Sequence, residues 1–233
     1  MIRTIFRIAG LFAVLLVIGA LWLFSSVQSH LDAPVDLHQQ SLDKQGQLIW
    51  TVPRGSNLGQ INRQLFAREI LSHPKIMSAY AKLTDRTSIQ AGSYWISAED
   101  SARTLLDKFN RGEVIRYQIT FPEGWSFKQW LGHLATQPQF AEVTESTVAQ
   151  LLSAADIDVD HPEGWFFPDT YTYTGTDSVV DILRQAHSKM KTVLDDAWEE
   201  RDFGLPYNSA YEALIMASII EKETGLAEER DAI

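Results

Sequence analysis

The chain has 233 residues, 45% hydrophobic and 21% charged, enough to bury one large or two small cores, which excludes global disorder. Thirty acidic against twenty basic side chains give a formal charge of -10, and this balance argues against a nucleic-acid partner, whose phosphates are met by Lys and Arg. Cysteine is absent, so disulfides, thiolate zinc sites and cysteine nucleophiles are excluded, and the six scattered histidines offer no HExxH spacing for a metal.

Residues 8–24, IAGLFAVLLVIGALWLF, carry no charge, and with SSV the segment 8–27 gives ~30 Å of helix at ~1.5 Å per residue, the thickness of a bilayer core. A transmembrane helix is expected there. Arg3 and Arg7 precede it and no Lys or Arg follows until Lys44, so residues 1–7 are placed in the cytoplasm and the rest outside the inner membrane. A cleaved signal peptide is the competing reading, but its apolar region is shorter and ends in a small-x-small site that SSVQSH supplies poorly. Residues 28–47 are polar, with Pro34 and Gly46, and read as a linker.

The body begins with LIWTVP (48–53), a strand by composition, after which Ser56 reads as an N-cap. Leu58, Ile61, Leu65 and Phe66 then recur at helical spacing, predicting an amphipathic helix over 57–71. A second helix starts at Pro74, where proline is tolerated, and GSYWIS (92–97) returns as a strand. The order strand, helix, helix, strand makes a small unit with two helices over one face of a two-stranded sheet. Asp100 or Ser101 caps a third helix that Gly112 stops, and VIRYQITFP gives another strand.

PEGW (122–125) is read as opening a helix through Trp130, Leu131 and Leu134, which Pro138 ends. EGW recurs at 163–165, taken as coincident turn chemistry and not a repeat. Helices are expected over 143–155 and 178–200, the latter with Ile182, Ala186, Met190, Val193 and Ala197 on one stripe. The last element, YEALIMASIIEKET (211–224), is apolar nearly all round, which predicts a helix buried on most sides, with Gly225 as its stop.

Glu221 and Glu223 stand at the end of that helix. Helical spacing puts Glu223 with Met216, Ile219 and Ile220, so desolvation and the negative end of the helix dipole would both keep its carboxyl protonated, as a general acid requires. From spacing alone, two glutamates at a helix end are more often a solvated cap.

MASIIEKETG, EGWFFPDTY (163–171) and FPEGW (121–125) occur in that order, behind an N-terminal anchor, and together they closely resemble the endolytic murein transglycosylase (YceG-like) family. The resemblance implies an α+β fold: the transmembrane helix, a LysM-like βααβ subdomain over 48–112, and the mainly helical start of a YceG-like catalytic domain over 113–233. It makes the second glutamate of EKET, Glu223, the catalytic residue, with Glu221 as the fallback. Family members continue with an asparagine-arginine-leucine stretch and a proline-glycine-rich region, so it also implies a chain truncated at its C-terminus.

Ordinary glycosidases need two carboxylates, whereas a lytic transglycosylase manages with one. The resemblance implies that Glu223 protonates the oxygen between N-acetylmuramic acid and N-acetylglucosamine. It then takes the proton of the muramyl 6-hydroxyl as that group attacks C1, leaving 1,6-anhydromuramyl ends and terminating nascent strands. Peptidoglycan glycan strands, the membrane and peptidoglycan synthases are the implied partners, with no cofactor or metal and with the catalytic part in the periplasm. Of the aromatic run, Phe167 and Tyr171 are candidates to stack on sugars and Glu163 to bind hydroxyls; the plainer alternative is that these aromatics fill the core under a turn. Two other classes stay open: a membrane-tethered wall-binding scaffold without catalysis, and an unrelated envelope hydrolase, for which no GxSxG word or metal-ligand spacing is visible.

Overall fold

The structure is a computed structural model that describes residues 2–38, 40–143, 148–159 and 161–223, with side chains from Leu11 onward. Mixed α and β elements form two units, Met1–Ile115 and Arg116–Ile233.

The first unit opens with helix α1 (Ile2–Asp32), whose apolar stretch is bare: Leu15, Trp22 and Phe24 are each exposed, and Leu11–Asp32 is long and apolar enough to cross a membrane. The helix does not end at 27. Arg103 extends its order, donating from Nε to Asp32 Oδ1 at 2.6 Å and from Nη2 to Gln28. Leu31, Val35 and Leu37 are buried in the core, Val35 N donates to Asp100 O at 2.8 Å, and Pro34 bridges Ser101. Three residues of the expected linker over 28–47 are therefore core. Leu31, Val35 and Leu37 sit in a short polar stretch interrupted by Pro34, and the tertiary contacts explain their burial.

Strand β1 (Leu48–Val52) alternates, with Leu48, Trp50 and Val52 inside, and pairs antiparallel with β2 (Gly92–Ile96) in the register Leu48↔Ile96, Trp50↔Tyr94, Val52↔Gly92. Helix α2 (Leu58–Ala67) is capped by Asn57, not Ser56. Asn57 Oδ1 accepts from Gln60 N at 3.0 Å while Gln60 Oε1 accepts from Asn57 N at 3.0 Å, a reciprocal capping box. The helix stops short of 71 because Glu69 turns left-handed, φ 61, which folds Ile70 and Leu71 back into the core. Helix α3 (Pro74–Leu83) begins at its proline as expected.

Helix α4 (Ala102–Arg111) carries a Ser101–Thr104 capping box and ends at left-handed Gly112. Its Leu105, Leu106 and Phe109 are fully buried with Ile61, Leu65, Met77 and Tyr94. Each such side chain contributes about 1.5–3 kcal/mol by leaving water. Asp100, nearly buried, accepts from Lys108 Nζ at 2.6 Å, Ser97 N at 2.9 Å and Thr104 Oγ1 at 2.9 Å. Burial alone would raise its carboxyl; these bonds and the Lys108 charge outweigh that and hold it below the usual carboxylate range.

The second unit is built on an antiparallel pair, β3 (Arg116–Thr120) and β4 (Thr170–Thr174), with Ile119 opposite Tyr171 and Tyr117 opposite Tyr173. The sequence reading has no strand at 170–174, although TYTYT alternates with period two and buries both tyrosines. Helix α5 (Phe127–Ala135) starts after a Ser126 cap, so PEGW is a turn and not a helix start; Gly124 has φ 72, outside helical space. A short 3-10 turn follows at Pro138–Phe140.

Helix α6 is Val148–Ala155; residues 144–147 of the expected helix lie outside the described residues. Helix α7 (Val179–Glu199), capped by a Ser178–Asp181 box, buries Val179, Ile182, Leu183 and Ala186, but its expected stripe does not continue inside: Val193 and Ala197 are exposed.

Helix α8 (Ala210–Glu223) departs furthest from expectation. None of its residues is buried, and Ile215, Met216 and Ile219 are exposed. One stripe faces the rest of the unit, and an all-round apolar pattern carries no information about which stripe that is. Thr224 and Gly225 lie outside the described residues.

Candidate active site

Within the second unit, a cavity of about 630 Å³ is walled by two turns and one helix stripe. The turns are the two copies of PEGW, Pro122–Trp125 and Pro162–Trp165. Both put glycine in the left-handed region, Gly124 at φ 72 and Gly164 at φ 81, where a side chain is disfavoured. The helix stripe comes from α8: Tyr211, Leu214, Ile215, Ser218, Glu221 and Lys222 line the cavity at spacings of three and four. Phe127 and Trp130 of α5, Phe166 and Met190 complete it.

Close approach of α8 to both turns explains the glycines. A Cβ on Gly124 would lie 3.1 Å from Glu221 Oε1, and one on Gly164 would lie 3.6 Å from Leu214 Cδ2. Lys222 Nζ donates to Gly124 O at 2.7 Å, and the rings of Trp165 and Tyr211 stack at 5.3 Å and 9°, so each turn also grips the helix. Glu163 Oε2 accepts from Phe127 N at 2.8 Å, placing a carboxylate on the N-terminus of α5 and tying the second turn to the helix that follows the first. The shared PEGW word, of which the sequence reading noted only EGW and took it as coincidence, thus marks two matched walls of one cavity.

The expected site residues separate here. Glu221 and Glu163 line the cavity; Glu223 does not, and it is exposed, on the face of α8 shared with Met216 and Ile219. Two residues of helix turn the side chain by about 200°. The expected desolvation of Glu223 is therefore not found among the described residues.

Tyr171 is core: 5% exposed, its hydroxyl donates to Phe167 O at 2.5 Å, and burial, with the nearby Asp169 charge, pushes its phenol well up. No face of it is open to a sugar. Phe167 is half-buried outside the cavity lining, under Lys189 Nζ at 5.0 Å from its ring centre. Lys189 also pairs with Asp169, and that bond, with the one from Thr170 N, holds the exposed Asp169 carboxyl below its usual range.

The accessible aromatics are Trp125 and Tyr211, neither of them a sequence candidate. Flat rings beside the carboxylates of Glu123, Glu163 and Glu221 suit a pyranose, with its apolar faces and equatorial hydroxyls. No group of three or more His, Cys, Asp or Glu suited to a metal occurs among the described residues.

A family model described as the YceG-like family matches residues 50–233. Two curated relatives named endolytic murein transglycosylase, from two strains of Streptococcus pneumoniae, are 25% identical over 214 residues and 24% identical over 212. Each match covers 78% of this chain and 38% of the relative, so the chain spans well under half the length of these relatives. A solved yceG-like protein from Listeria monocytogenes matches at 24% identity, covering 80% of this chain and 67% of that one, with a TM-score of 0.36. Since the family match takes in both PEGW turns and the whole of α8, the chain belongs to the YceG-like family.

Proposed function

We propose that the protein is a membrane-anchored lytic transglycosylase that cleaves the N-acetylmuramic acid–N-acetylglucosamine bond of peptidoglycan glycan strands and leaves 1,6-anhydromuramyl ends. The observation that carries this reading is the cavity in which the two PEGW turns and the EKE end of α8 meet, in a chain of the YceG-like family. The names of the pneumococcal relatives support the same activity.

The EKE segment supplies the acid/base carboxylate: Glu223 by the family motif, with Glu221 at the cavity wall. One carboxylate suffices because the nucleophile is the substrate's own 6-hydroxyl. It protonates the glycosidic oxygen and recovers a proton from the hydroxyl as the 1,6-anhydro bond forms, so no water is consumed. Proton transfer by a positioned group contributes roughly a hundred- to ten-thousandfold, and alignment of the strand along the aromatic wall provides further rate. The LysM-like reading of β1–α2–α3–β2 assigns that unit to holding glycan, and the bare α1 serves as a single-pass inner-membrane anchor with the body in the periplasm, near the synthases that make the strands.

The test is digestion of purified peptidoglycan by the wild-type protein and its Glu223→Gln and Glu221→Gln variants, with mass spectrometry of anhydromuramyl ends. Loss with Glu223→Gln and partial retention with Glu221→Gln is expected; the reverse moves the role to Glu221. Wild-type yields from both variants, or no anhydro ends from wild type, would overturn the reading. The exposure of Glu223 favours one competitor, a non-catalytic wall-binding scaffold, which predicts co-sedimentation with sacculi and no anhydro ends.

A further inference from the structure

Within the first unit, helices α2 and α3 leave between them a groove of about 750 Å³. Helix α2 lines it with Gly59, Asn62, Arg63 and Phe66, and α3 repeats that spacing from Lys75 to Lys82, so each helix contributes one face. Seven residues of helix make it ~10 Å long at ~1.5 Å per residue. Among the described residues the lining holds three Lys and Arg side chains, Arg63, Lys75 and Lys82, and no Asp or Glu. None of the three has a carboxylate partner there. Elsewhere in the same unit, by contrast, Arg86, Arg103 and Lys108 are paired with Asp107, Asp32 and Asp100. Phe66, 53% exposed, and the partly buried Ile76 add apolar surface to the lining.

A second, independent observation comes from Asn62, which is 2% exposed on the border between the groove face of α2 and the core face of Ile61 and Leu65. Its Nδ2 donates to Pro74 O at 3.2 Å and to Ser78 Oγ at 2.7 Å. Pro74 O can only accept, so the amide cannot be turned over. Oδ1 is thus buried without a partner, whereas the buried Ser93, Asp100 and Ser101 all have theirs. An unpaired buried acceptor costs free energy that an incoming donor recovers.

Groove and amide together define a ligand: carboxylates for three cations, small apolar groups for Phe66 and Ile76, and an N–H for Asn62. A phosphate diester brings charge without a donor. A short acidic peptide brings all three, and three extended residues at ~3.3–3.6 Å each span the groove.

We infer that this groove binds the stem peptides carried by peptidoglycan strands. Arg63, Lys75 and Lys82 meet the peptide carboxylates, Phe66 and Ile76 its methyl groups, and Asn62 Oδ1 accepts one N–H. Oδ1 is itself sealed from solvent, so the N–H reaches it as the long groove side chains rearrange around the ligand. The inference deepens the glycan-strand reading and rests on it for the source of the peptide. Residues 116–233 hold eight Lys and Arg against twenty-one Asp and Glu, a balance that repels such peptides, whereas residues 28–115 hold ten against nine.

The test is fluorescence anisotropy of a labelled tetrapeptide, L-Ala, γ-D-Glu, meso-diaminopimelate and D-Ala in that order, titrated with the full chain in phosphatidylcholine nanodiscs. Saturable binding is expected, weakened at least tenfold by Arg63→Glu, by Lys82→Glu and by Ala79→Phe, which fills the groove from an exposed position. Of tetrapeptides N-methylated at one amide each, one should bind severalfold more weakly; equal binding by all removes Asn62 from the site. Absence of saturable binding, or binding that the three variants leave unchanged, overturns the inference. Equal affinity for an acidic tetrapeptide of ordinary L-residues overturns the stem as its source and makes an acidic protein segment the ligand. Anhydromuramyl release by the wild type is followed in parallel. Release without peptide binding removes the groove and keeps the proposed function, and peptide binding without release removes the function and keeps the groove.

Discussion

Gly124 and Glu221 approach so closely that a methyl group on the glycine would lie 3.1 Å from the carboxylate oxygen. The same glycine has φ 72 and receives the Lys222 ammonium on its carbonyl, so the first PEGW turn and the end of α8 are fitted at a single backbone position.

Gly124→Ala is therefore expected to strain the turn by about 1–2 kcal/mol and to push Glu221 out of place. Gly164→Ala carries the same backbone strain but meets only Leu214 Cδ2, at 3.6 Å. Thermal melts should show similar losses for the two variants. Anhydromuramyl yield should fall much further for Gly124→Ala; equal yields would separate Glu221 placement from activity.

Glu163, a substrate-binding candidate on sequence, lines the cavity and also accepts from the N-terminus of α5. Glu163→Gln keeps an acceptor but loses the charge, which should lower stability by about 0.5–1 kcal/mol through the helix dipole. If this anchoring is its whole role, apparent KM for glycan strands stays unchanged while the melting temperature drops. A raised KM at unchanged stability would restore the substrate-binding role.

Asp100 makes the first unit acid-sensitive. Its folded carboxyl titrates below its unfolded value, so the stability it supplies is fully present above about pH 4 and is lost as pH falls through the folded value. Asp100→Asn should flatten this part of the acid response, read as melting temperature against pH below about 4. At neutral pH, Asp100→Ala removes the acceptor of Ser97 N and leaves Lys108 Nζ and the Thr104 hydroxyl with only their bonds to Trp95 O and Ser101 O, at a cost of about 1–3 kcal/mol.

Arg103→Ala should release Gln28 and Asp32 together, since one guanidinium holds both. Hydrogen exchange at amides 28–35 is expected to rise while that of β1 and β2 is little changed. Unchanged protection would mean that the burial of Leu31 and the Val35–Asp100 bond hold the end of α1 without the guanidinium.

Local signals read well from sequence. The β1–α2–α3–β2 order, the Pro74 helix start, the cap at Asp100 or Ser101, which the structure puts on Ser101, and the Gly112 stop each rest on a few adjacent residues whose chemistry is complete in itself. Where the answer lay in a distant partner, the reading failed. Leu31, Val35 and Leu37 became core through Arg103, Asp100 and Ser101 some seventy residues away in number.

For α8, composition indicated an apolar helix without saying which stripe would meet the unit. The stripe ending at Glu221 faces the cavity, and the one containing Glu223 is open. One long-range signal was visible and undervalued: PEGW occurs twice, and four identical residues with the same left-handed glycine point to a shared structural task.

Helix α1 passes from its bare stretch to a fully buried Leu31 without a break. In a bilayer such a connection acts as a post and not a leash: no slack separates the lipid from the first folded unit, and any tilt of the post is passed directly to it. With the anchor proposed above, the standing height of that unit is fixed by helix geometry.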